Sequence, residues 1–191
     1  TGKTTLIKAI VELYQNLNHI KEEEVENQIA LLAPTGRASK RMMESTLFKA
    51  TTIHRFLKWN KDSNAFAVNE WNPAIQKLII VDEVSMIDIE LFGHLLEGLT
   101  SNIQLVLVGD SNQLPSVGPG QILKDLWMSE CISTISLNFL YRQESDSYIP
   151  VLAEEIKNGQ VQENYMNTTN DFTFLNCLSD QIVPTLQKLT E

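Results

Sequence analysis

The sequence predicts an α/β fold in which a parallel sheet is covered by helices on both faces. Three observations predict it. Short apolar runs alternate along the chain with longer segments whose apolar residues recur at helical spacing. Polar and glycine-containing stretches follow several of these runs, as they do where ligands bind at the carboxyl ends of parallel strands. The 191 residues are 43% hydrophobic and 20% charged, which is typical of a globular domain.

Helical periodicity begins near the start of the chain. Leu6, Ile7, Ile10 and Val11 predict a helix over residues 3–17, and a loop rich in glutamate follows it. The other helices are predicted at residues 38–48, 54–59, 89–96, 122–127, 148–158 and 182–189.

The strands are predicted from short apolar runs that end in polar or turn-forming residues. Leu78–Val81 is a short continuous apolar run, which is typical of a parallel strand buried on both faces, and Ile103–Val108 is predicted as another strand. The other strands are expected at residues 29–33, 132–137 and 171–175.

The first five residues, Thr1-Gly2-Lys3-Thr4-Thr5, match the second half of the phosphate-binding pattern G-x-x-x-x-G-K-[ST]. In such a loop, backbone N–H groups surround the phosphates, Lys3 reaches the β- and γ-phosphates, and Thr4 binds Mg²⁺. The first glycine of the pattern would precede Thr1, so we expect this chain to be a piece of a longer protein. Alternatively, the segment is a frayed helix end with a surface lysine.

Two later segments fit the same chemistry. Asp82 and Glu83 directly follow the strand Leu78–Val81, where an aspartate can hold Mg²⁺ and a glutamate can polarise an attacking water. Gln113 lies in a polar stretch after the strand Ile103–Val108, where an amide can sense a γ-phosphate. The alternative for both segments is an ordinary solvated turn, since Asp, Ser, Asn, Gly and Pro all favour turns.

Six strings stand in a fixed order along the chain. They are Thr1-Gly2-Lys3-Thr4, Pro34-Thr35-Gly36-Arg37-Ala38, Thr52-Ile53-His54-Arg55, Asp82-Glu83-Val84-Ser85-Met86, Gln113-Leu114-Pro115-Ser116-Val117-Gly118 and Tyr141-Arg142-Gln143. In this order they resemble the motifs of superfamily 1 helicases, and most closely those of the RecD family, which includes the α subunit of exodeoxyribonuclease V. The resemblance extends from Thr1 to about Gly159. The family usually has Ala where this chain has Val84.

The resemblance implies a RecA-like P-loop NTPase fold and an ATP site that uses Mg²⁺. It implies that Gly2, Lys3, Thr4 and Thr5 bind the phosphates, and that Thr4 and Asp82 hold Mg²⁺. Glu83 corresponds to the catalytic base, Gln113 to the residue that contacts the γ-phosphate, Arg142 to an arginine that reaches the γ-phosphate, and Tyr141 to the residue that stacks on adenine. For Arg142, an ordinary surface ion pair is the alternative.

The resemblance also implies a path for single-stranded DNA along two segments, Pro34-Thr35-Gly36-Arg37 and Thr52 with His54 and Arg55. Each has a structural alternative. His54 is alternatively a packed core histidine, and Thr52 a helix cap. Arg37 is alternatively part of a solvated helix face.

A small hairpin is expected over residues 58–72, where Trp59, Phe66 and Trp71 flank the turn signal Asp62-Ser63-Asn64. In the family such a hairpin is the pin that splits the duplex; alternatively it is a surface hairpin held by its own aromatic residues. The family pattern places a first RecA-like motor domain at residues 1–180. Residues 181–191 would then begin the linker to a second RecA-like domain outside this chain.

The resemblance implies that the parent protein is an ATP-dependent 5′–3′ DNA helicase of recombination and repair. Its partners would be single-stranded DNA or a duplex end, the second domain and possible nuclease–helicase subunits. The isolated fragment is expected to hydrolyse ATP slowly or not at all. Two other functions stay open, namely the helicase part of a conjugative relaxase and a non-catalytic DNA-binding module.

The net charge of −9 is unusual for a DNA-binding protein, because non-specific DNA affinity comes mostly from Lys and Arg on phosphates. Basic residues nevertheless cluster between Pro34 and Lys61, so we expect weak, salt-sensitive DNA binding by this chain.

Cys131 and Cys177 lack metal-ligand spacing, which favours reduced thiols and a cytoplasmic protein. No stretch reaches the length of a membrane span, so no membrane partner is expected.

Overall fold

A computed structural model of the protein describes residues 2–137, 147–166, 169 and 171–190. It has the predicted α/β fold. The chain divides into two compact units, Thr1–Phe139 and Leu140–Glu191. The strands are β1 (Ile29–Ala33), β2 (Ala50–Thr52), β3 (Trp59–Asn60), β4 (Ala65–Phe66), β5 (Leu78–Val81) and β6 (Gln104–Leu107). The α-helices are α1 (Lys3–Leu17), α2 (Val25–Gln28), α3 (Gly36–Thr46), α4 (Ile53–Phe56), α5 (Ile89–Glu97), α6 (Ile122–Met128), α7 (Ile149–Asn158) and α8 (Ile182–Thr190).

Four parallel strands form the main sheet of the first unit in the order β2-β1-β5-β6. The register pairs Leu32 with Val81, and Val81 with Leu107, so the strands end nearly level with one another. Every residue of β5 is buried, as the continuous apolar run Leu78–Val81 predicts for a central parallel strand.

Helices cover both faces of this sheet. Alternate residues of the strands point to opposite faces, so Leu31 and Ile80 pack in a different cluster from Leu32 and Val81. On the first face the cluster includes residues of α1 and α3, such as Ile7 and Met42. The cluster of the opposite face combines α4, α5, α6 and the hairpin, with the buried residues Ile53, Leu57, Phe66, Val68, Phe92, Leu95 and Ile122. The predicted two-sided covering is therefore confirmed.

Local caps set where the helices begin. The helix predicted from Ala38 begins at Gly36, because the Thr35 hydroxyl oxygen accepts a hydrogen bond from the backbone N–H of Ala38 at 3.2 Å. Helix α4 is likewise capped by Thr52, which accepts from the N–H of Arg55. It ends at Phe56 rather than at Trp59, because the chain passes from Leu57 into the hairpin.

The predicted hairpin is formed by β3 and β4, which pair antiparallel with Trp59 opposite Phe66. The Phe66 ring lies 4.7 Å from that of Trp59, 5.8 Å from that of His54 and 4.9 Å from that of His94, measured between ring centroids. Phe66 is buried, and it joins the hairpin to α4 and α5. The hairpin is thus attached to the helices under it through an aromatic cluster.

The second unit contains α7 and α8. Asp171 caps α7: its carboxylate accepts hydrogen bonds from the Ser147 hydroxyl and from the N–H of Tyr148. Aromatic pairs pack Tyr148 on Phe172 and Tyr165 on Phe174.

Among the described residues of the whole chain, no helix has the length and apolar character of a membrane span. Cys131 and Cys177 are free thiols.

Two predicted strands are wrong. Residues 132–137 and 171–175 have no regular secondary structure and pair with no strand in the described part of the chain. Ile132, Ile135 and Leu137 are exposed, so their apolar pattern is not matched by burial. A strand needs a neighbour that completes its hydrogen bonds, and a local pattern does not supply one. In contrast, β2 was not predicted, because three residues are too short for a periodic signal.

Candidate functional site

The carboxyl ends of the four parallel strands bring the predicted segments to one edge of the sheet. Pro34 follows β1, Ile53 follows β2, Asp82 follows β5 and Val108 follows β6. Two hydrogen bonds keep these ends level: the N–H of Asp82 donates to the Leu32 carbonyl at 2.9 Å, and that of Val108 to the Val81 carbonyl at 2.8 Å. This is the edge at which open parallel sheets bind ligands.

Asp82 and Glu83 form a tight turn at the end of β5. The Asp82 Oδ1 accepts a hydrogen bond from the N–H of Glu83 at 2.9 Å. Glu83 has a φ of 54° and a ψ of 41°, in the left-handed region that non-glycine residues rarely adopt. Its Oε2 is buried without a hydrogen-bond partner among the described residues. A strained backbone and an unsatisfied carboxyl oxygen in one residue are typical of a functional site.

The loop 109–120 follows β6 and carries Gln113. The N–H of Val84 donates to the Val108 carbonyl at 3.0 Å, which joins the start of this loop to the Asp82–Glu83 turn. A side chain on Gly109 would lie 2.7 Å from Leu123 Cδ2 and 3.3 Å from the nitrogen of Val84, so glycine permits this close approach. Gln113 itself is exposed, and its backbone N–H donates to the backbone carbonyl of Asp110.

The phosphate-binding residues lie at the amino end of α1. Gly2, at the N-cap, has a φ of 92°, which favours glycine, and Lys3 and Thr4 form the first turn with Thr5. Helix α1 packs on one face of the sheet, and its carboxyl end leads through residues 18–28 back to the amino end of β1. Its amino end is therefore directed toward the carboxyl edge of the sheet. No hydrogen bond or ion pair joins Lys3 or Thr4 to Asp82 or Glu83 among the residues that the structure describes.

The two predicted DNA segments are largely exposed at the same edge. Pro34 is half-buried, whereas Thr35, Gly36 and Arg37 are exposed at the start of α3. His54 and Arg55 are exposed on α4, so a buried core position for His54 is ruled out, although its ring contacts Phe66. Thr52 caps α4, which was the predicted alternative to DNA contact for this residue. Tyr141 and Arg142 lie outside the described residues.

The donor set at this edge fits a nucleotide with Mg²⁺. Mg²⁺ prefers oxygen ligands and is usually held by one or two protein groups together with substrate phosphates. One hydroxyl, from Thr4, and one carboxylate, from Asp82, would suit that arrangement. The described residues contain no group of three or more His, Cys, Asp or Glu that could hold a metal by itself. The Glu83 carboxylate adds an acceptor oxygen, Oε2, that no described residue uses.

One polar group of this site was not predicted from the sequence. The Ser85 hydroxyl, two residues after Glu83, is buried and has no hydrogen-bond partner among the described residues. A side chain on Gly109 would also lie 3.4 Å from the nitrogen of Ser85, which places the residue under the loop that carries Gln113. A serine inside the acidic turn was the available signal, but serine is common in turns.

Comparison with known proteins agrees with this geometry. Residues 1–119 match the AAA domain family. The ATP-dependent RecD2 DNA helicase of Deinococcus radiodurans is 36% identical over 160 residues, which cover 84% of this chain and 21% of that protein. The RecBCD enzyme subunit RecD of Mycolicibacterium smegmatis is 35% identical over 143 residues, which cover 66% of this chain and 26% of that protein. The chain thus spans about a fifth to a quarter of the length of these relatives.

Solved structures resemble the fold. The Pif1 helicase from Candida albicans has a TM-score of 0.53 and 23% identity, covering 85% of this chain and 40% of that one. Unliganded Pif1 from a Bacteroides species has a TM-score of 0.51 and 22% identity, covering 85% of this chain and 41% of that one. At these identities the likeness shows the fold alone. From the family match, the relatives and the motifs at the sheet edge together, the chain belongs to the AAA domain family and, within it, to the RecD family of helicases.

Proposed function

We propose that this chain is the first motor domain of an ATP-dependent DNA helicase that translocates 5′–3′ on single-stranded DNA. One observation carries the proposal: Asp82, Glu83 and the loop of Gln113 converge with two exposed, partly basic segments at one edge of a parallel sheet. The relative named as an ATP-dependent DNA helicase supports it, since its similarity covers 84% of this chain.

In the proposed mechanism, Gly2 and Thr5 contribute backbone N–H groups of the α1 amino end to the phosphates. The Lys3 ammonium would reach the β- and γ-phosphates. Thr4 and Asp82 would hold Mg²⁺, which supplies charge neutralisation on the phosphates when bound.

Glu83 would accept a proton from the attacking water, and its unsatisfied Oε2 supports this role. Gln113 would contact the γ-phosphate and sense its loss. Tyr141 and Arg142 are proposed for adenine stacking and for the γ-phosphate by resemblance alone.

DNA is proposed to cross the same edge along Pro34–Arg37 and Thr52–Arg55. The side chains of Arg37 and Arg55 are exposed, and neither forms an ion pair with a carboxylate in the described part of the chain. Free guanidinium groups suit phosphate oxygens, because they donate in a planar fork. The hairpin β3–β4 is proposed as the pin that separates the strands.

The proposed helicase needs parts outside this chain. A second RecA-like domain would complete the ATP site, and the domain boundary at residue 180 stays a prediction. Two relatives are named as subunits of the RecBCD enzyme, which supports the proposal that nuclease–helicase subunits are partners. A duplex end is the proposed substrate, and a cytoplasmic location also stays a prediction.

Nucleotide binding tests the proposal. A fluorescent ATP analogue with Mg²⁺ is titrated into the full-length polypeptide that carries this sequence, as wild type, Lys3→Ala and Lys8→Ala. Lys8 lies on the same helix and pairs with Glu12 at 3.8 Å on its surface, so it is a matched control. We expect Lys3→Ala to weaken binding at least about tenfold, since a charge-assisted phosphate contact is lost, and Lys8→Ala to bind as the wild type does. Equal binding by the Lys3→Ala variant would contradict the proposal and favour a non-catalytic DNA-binding module.

A further inference from the structure

The loop that carries Gln113 ends on the amino terminus of helix α5. The first N–H groups of a helix have no partner within the helix, so other groups must accept their hydrogen bonds. At α5 two acceptors do so. Asp88 Oδ1 accepts from the N–H of Leu91 at 2.8 Å, and the Pro119 carbonyl accepts from the N–H of Ile89 at 2.9 Å. One acceptor is the N-cap residue, and the other belongs to the loop.

Glycine makes this contact possible. A side chain on Gly118 would lie 2.4 Å from Asp88 Oδ2 and 2.7 Å from Asp88 Cβ, which is too close for any carbon atom. Gly120 has a φ of 100°, and a side chain there would lie 3.2 Å from Ile89 Cβ. The backbone on either side of Pro119 therefore rests directly on Asp88 and Ile89, and a larger residue at Gly118 would lift it away.

The loop is held at both ends, with Gln113 between them. At its start, the Val108 carbonyl accepts a hydrogen bond from Val84, next to Glu83. Near its end, the Ser116 hydroxyl donates to the Gly118 carbonyl at 2.9 Å and lies 3.3 Å from the Gly120 carbonyl, which shapes the segment that rests on α5. Gln113 makes no side-chain hydrogen bond within the described residues, and its backbone N–H donates to the Asp110 carbonyl inside the loop. The two attachments therefore hold the turn that carries Gln113.

We propose that Asp88 and Gly118 form a seat that positions Gln113 over the nucleotide, and that both act as positioning residues for ATP hydrolysis. The inference rests on the proposed function. Asp88 is the N-cap of α5 and lies six residues after Asp82. The amino end of α5 is therefore connected both to the turn of Asp82 and Glu83 and to the loop that carries Gln113. An error of about 1 Å in such an arrangement can lower a reaction rate about 10²-fold.

The test compares Gly118→Ala with Gly93→Ala in the full-length polypeptide that carries this sequence. Both substitutions add one methyl group, but a side chain on Gly93, in the middle of α5, meets no atom within 4 Å. Asp88→Asn and Asp88→Ala are made as well, because asparagine keeps the capping oxygen and alanine removes it. The parameters measured are kcat and KM for ATP with single-stranded DNA present, together with the thermal midpoint.

We expect Gly118→Ala to lower kcat about 10- to 100-fold with KM changed less than threefold, as for a misplaced residue that acts on the reacting phosphate. Gly93→Ala and Asp88→Asn should keep kcat within about threefold of the wild type, whereas Asp88→Ala should resemble Gly118→Ala. The double variant Gln113→Ala/Gly118→Ala should be no slower than Gln113→Ala alone, because the seat acts through Gln113. Multiplied losses in the double variant, or wild-type kcat in Gly118→Ala, would overturn the proposal.

A second measurement is independent of hydrolysis. Hydrogen exchange reports the protection of the Ile89 amide, which donates to Pro119 in the seated loop. Protection that falls at least tenfold in Gly118→Ala but not in Gly93→Ala supports the seat, and equal protection in both overturns it. If the wild type hydrolyses no ATP while the Ile89 amide responds in this way, the proposed function fails and only the contact of the loop with α5 stands.

Discussion

Glu83 combines an unfavourable backbone conformation with a side-chain oxygen that is buried without a hydrogen-bond partner among the described residues. Its left-handed conformation costs about 1–2 kcal/mol for a residue with a Cβ atom. Its Oε2 is buried without a partner, which is a further cost that the surrounding fold must offset. Neither feature stabilises the protein. Both are accounted for if Glu83 is held in place to act on a water molecule.

We therefore expect Glu83→Gln to lower the rate of ATP hydrolysis about 10²- to 10⁴-fold, the usual contribution of general base catalysis. The thermal midpoint should stay the same or rise, because an amide is less costly to bury than a carboxylate. The measurements are single-turnover hydrolysis and a thermal melt of the same samples. Glu90→Gln, at an exposed position of α5, is the control and should change neither. A Glu83→Gln variant that melts lower and still hydrolyses ATP would refute a catalytic role.

At the scale of elements, side-chain caps position the helices that leave the sheet edge. Thr35 follows β1, Thr52 is the last residue of β2, and Asp88 comes after the turn that follows β5. Each accepts a hydrogen bond from the N–H three residues later. Two of these residues, Thr35 and Thr52, were predicted to line the DNA path. A threonine oxygen that accepts from the backbone keeps its own O–H available as a donor, so capping and phosphate contact are compatible.

The cap of α3 is measurable by itself. Thr35→Ala should lower the free energy of unfolding by about 1 kcal/mol, since one backbone N–H of an 11-residue helix loses its partner. Thr35→Ser keeps the oxygen and should stay within about 0.5 kcal/mol of the wild type. Urea unfolding followed by circular dichroism gives both values. Equal stability of the alanine and serine variants would mean that the cap contributes nothing.

Helix α7 has a cap that responds to pH. Hydrogen bonds from the Ser147 hydroxyl, and then from the N–H of Tyr148, lower the pKa of Asp171 below its ordinary value of 3.8. Because the folded state lowers this pKa, the stabilisation is present above about pH 3.8 and is lost as the pH falls through the lower, folded value.

We expect the stability of the second unit to fall with acid below this point, and Asp171→Asn to remove that part of the dependence. Urea unfolding monitored by the α7 amides between pH 2 and pH 6 would measure it. Asp180→Asn, on the exposed turn Ser179–Gln181, is the control and should keep the wild-type profile. An Asp171→Asn profile that matches the wild type would show that another group is responsible.

For the whole molecule, the net charge of −9 and the proposed DNA contact are reconciled by where the charges lie. Lys40 pairs with Glu44, and Lys49 with Glu26, so these two cations are compensated by nearby carboxylates. Arg37 and Arg55 have no such partner within the described residues and are exposed near the carboxyl edge of the sheet. Local uncompensated charge, rather than the total, sets the affinity for a phosphate backbone.

The salt dependence of DNA affinity should accordingly come from a small number of uncompensated cationic residues. We expect Arg37→Ala to weaken binding of single-stranded DNA of any sequence and to reduce the slope of log affinity against log salt concentration by about 1. Lys49→Ala, whose ammonium lies 2.6 Å from Glu26 Oε2, should leave the slope unchanged. Fluorescence anisotropy between 50 and 200 mM salt, about the range over which such slopes are read, supplies both slopes. Equal slopes for wild type and Arg37→Ala would remove Arg37 from the DNA path.

Much of the sheet and of the candidate site could be predicted because the signals are local. The bounds of α1, β1 and β5 agree with those predicted from apolar periodicity, and Asp82 and Glu83 lie where the strand Leu78–Val81 had to end. The strand predicted at residues 132–137 failed, since its apolar residues indicate burial but not whether a neighbouring strand is available. The left-handed conformation of Glu83 also had no signal, because no local preference favours it.

The sequence by itself determined the family and the fold class, and it predicted the residues proposed to meet a nucleotide, because these depend on residue type and on spacing along the chain. Only the tertiary structure decided which of those residues share an edge, that Thr35 and Thr52 cap helices, and that Gly118 rests on Asp88. The physical reason is distance. Gly118 and Asp88 are 30 positions apart in the chain, and their contact exists only because the loop after β6 folds back on the helix after β5.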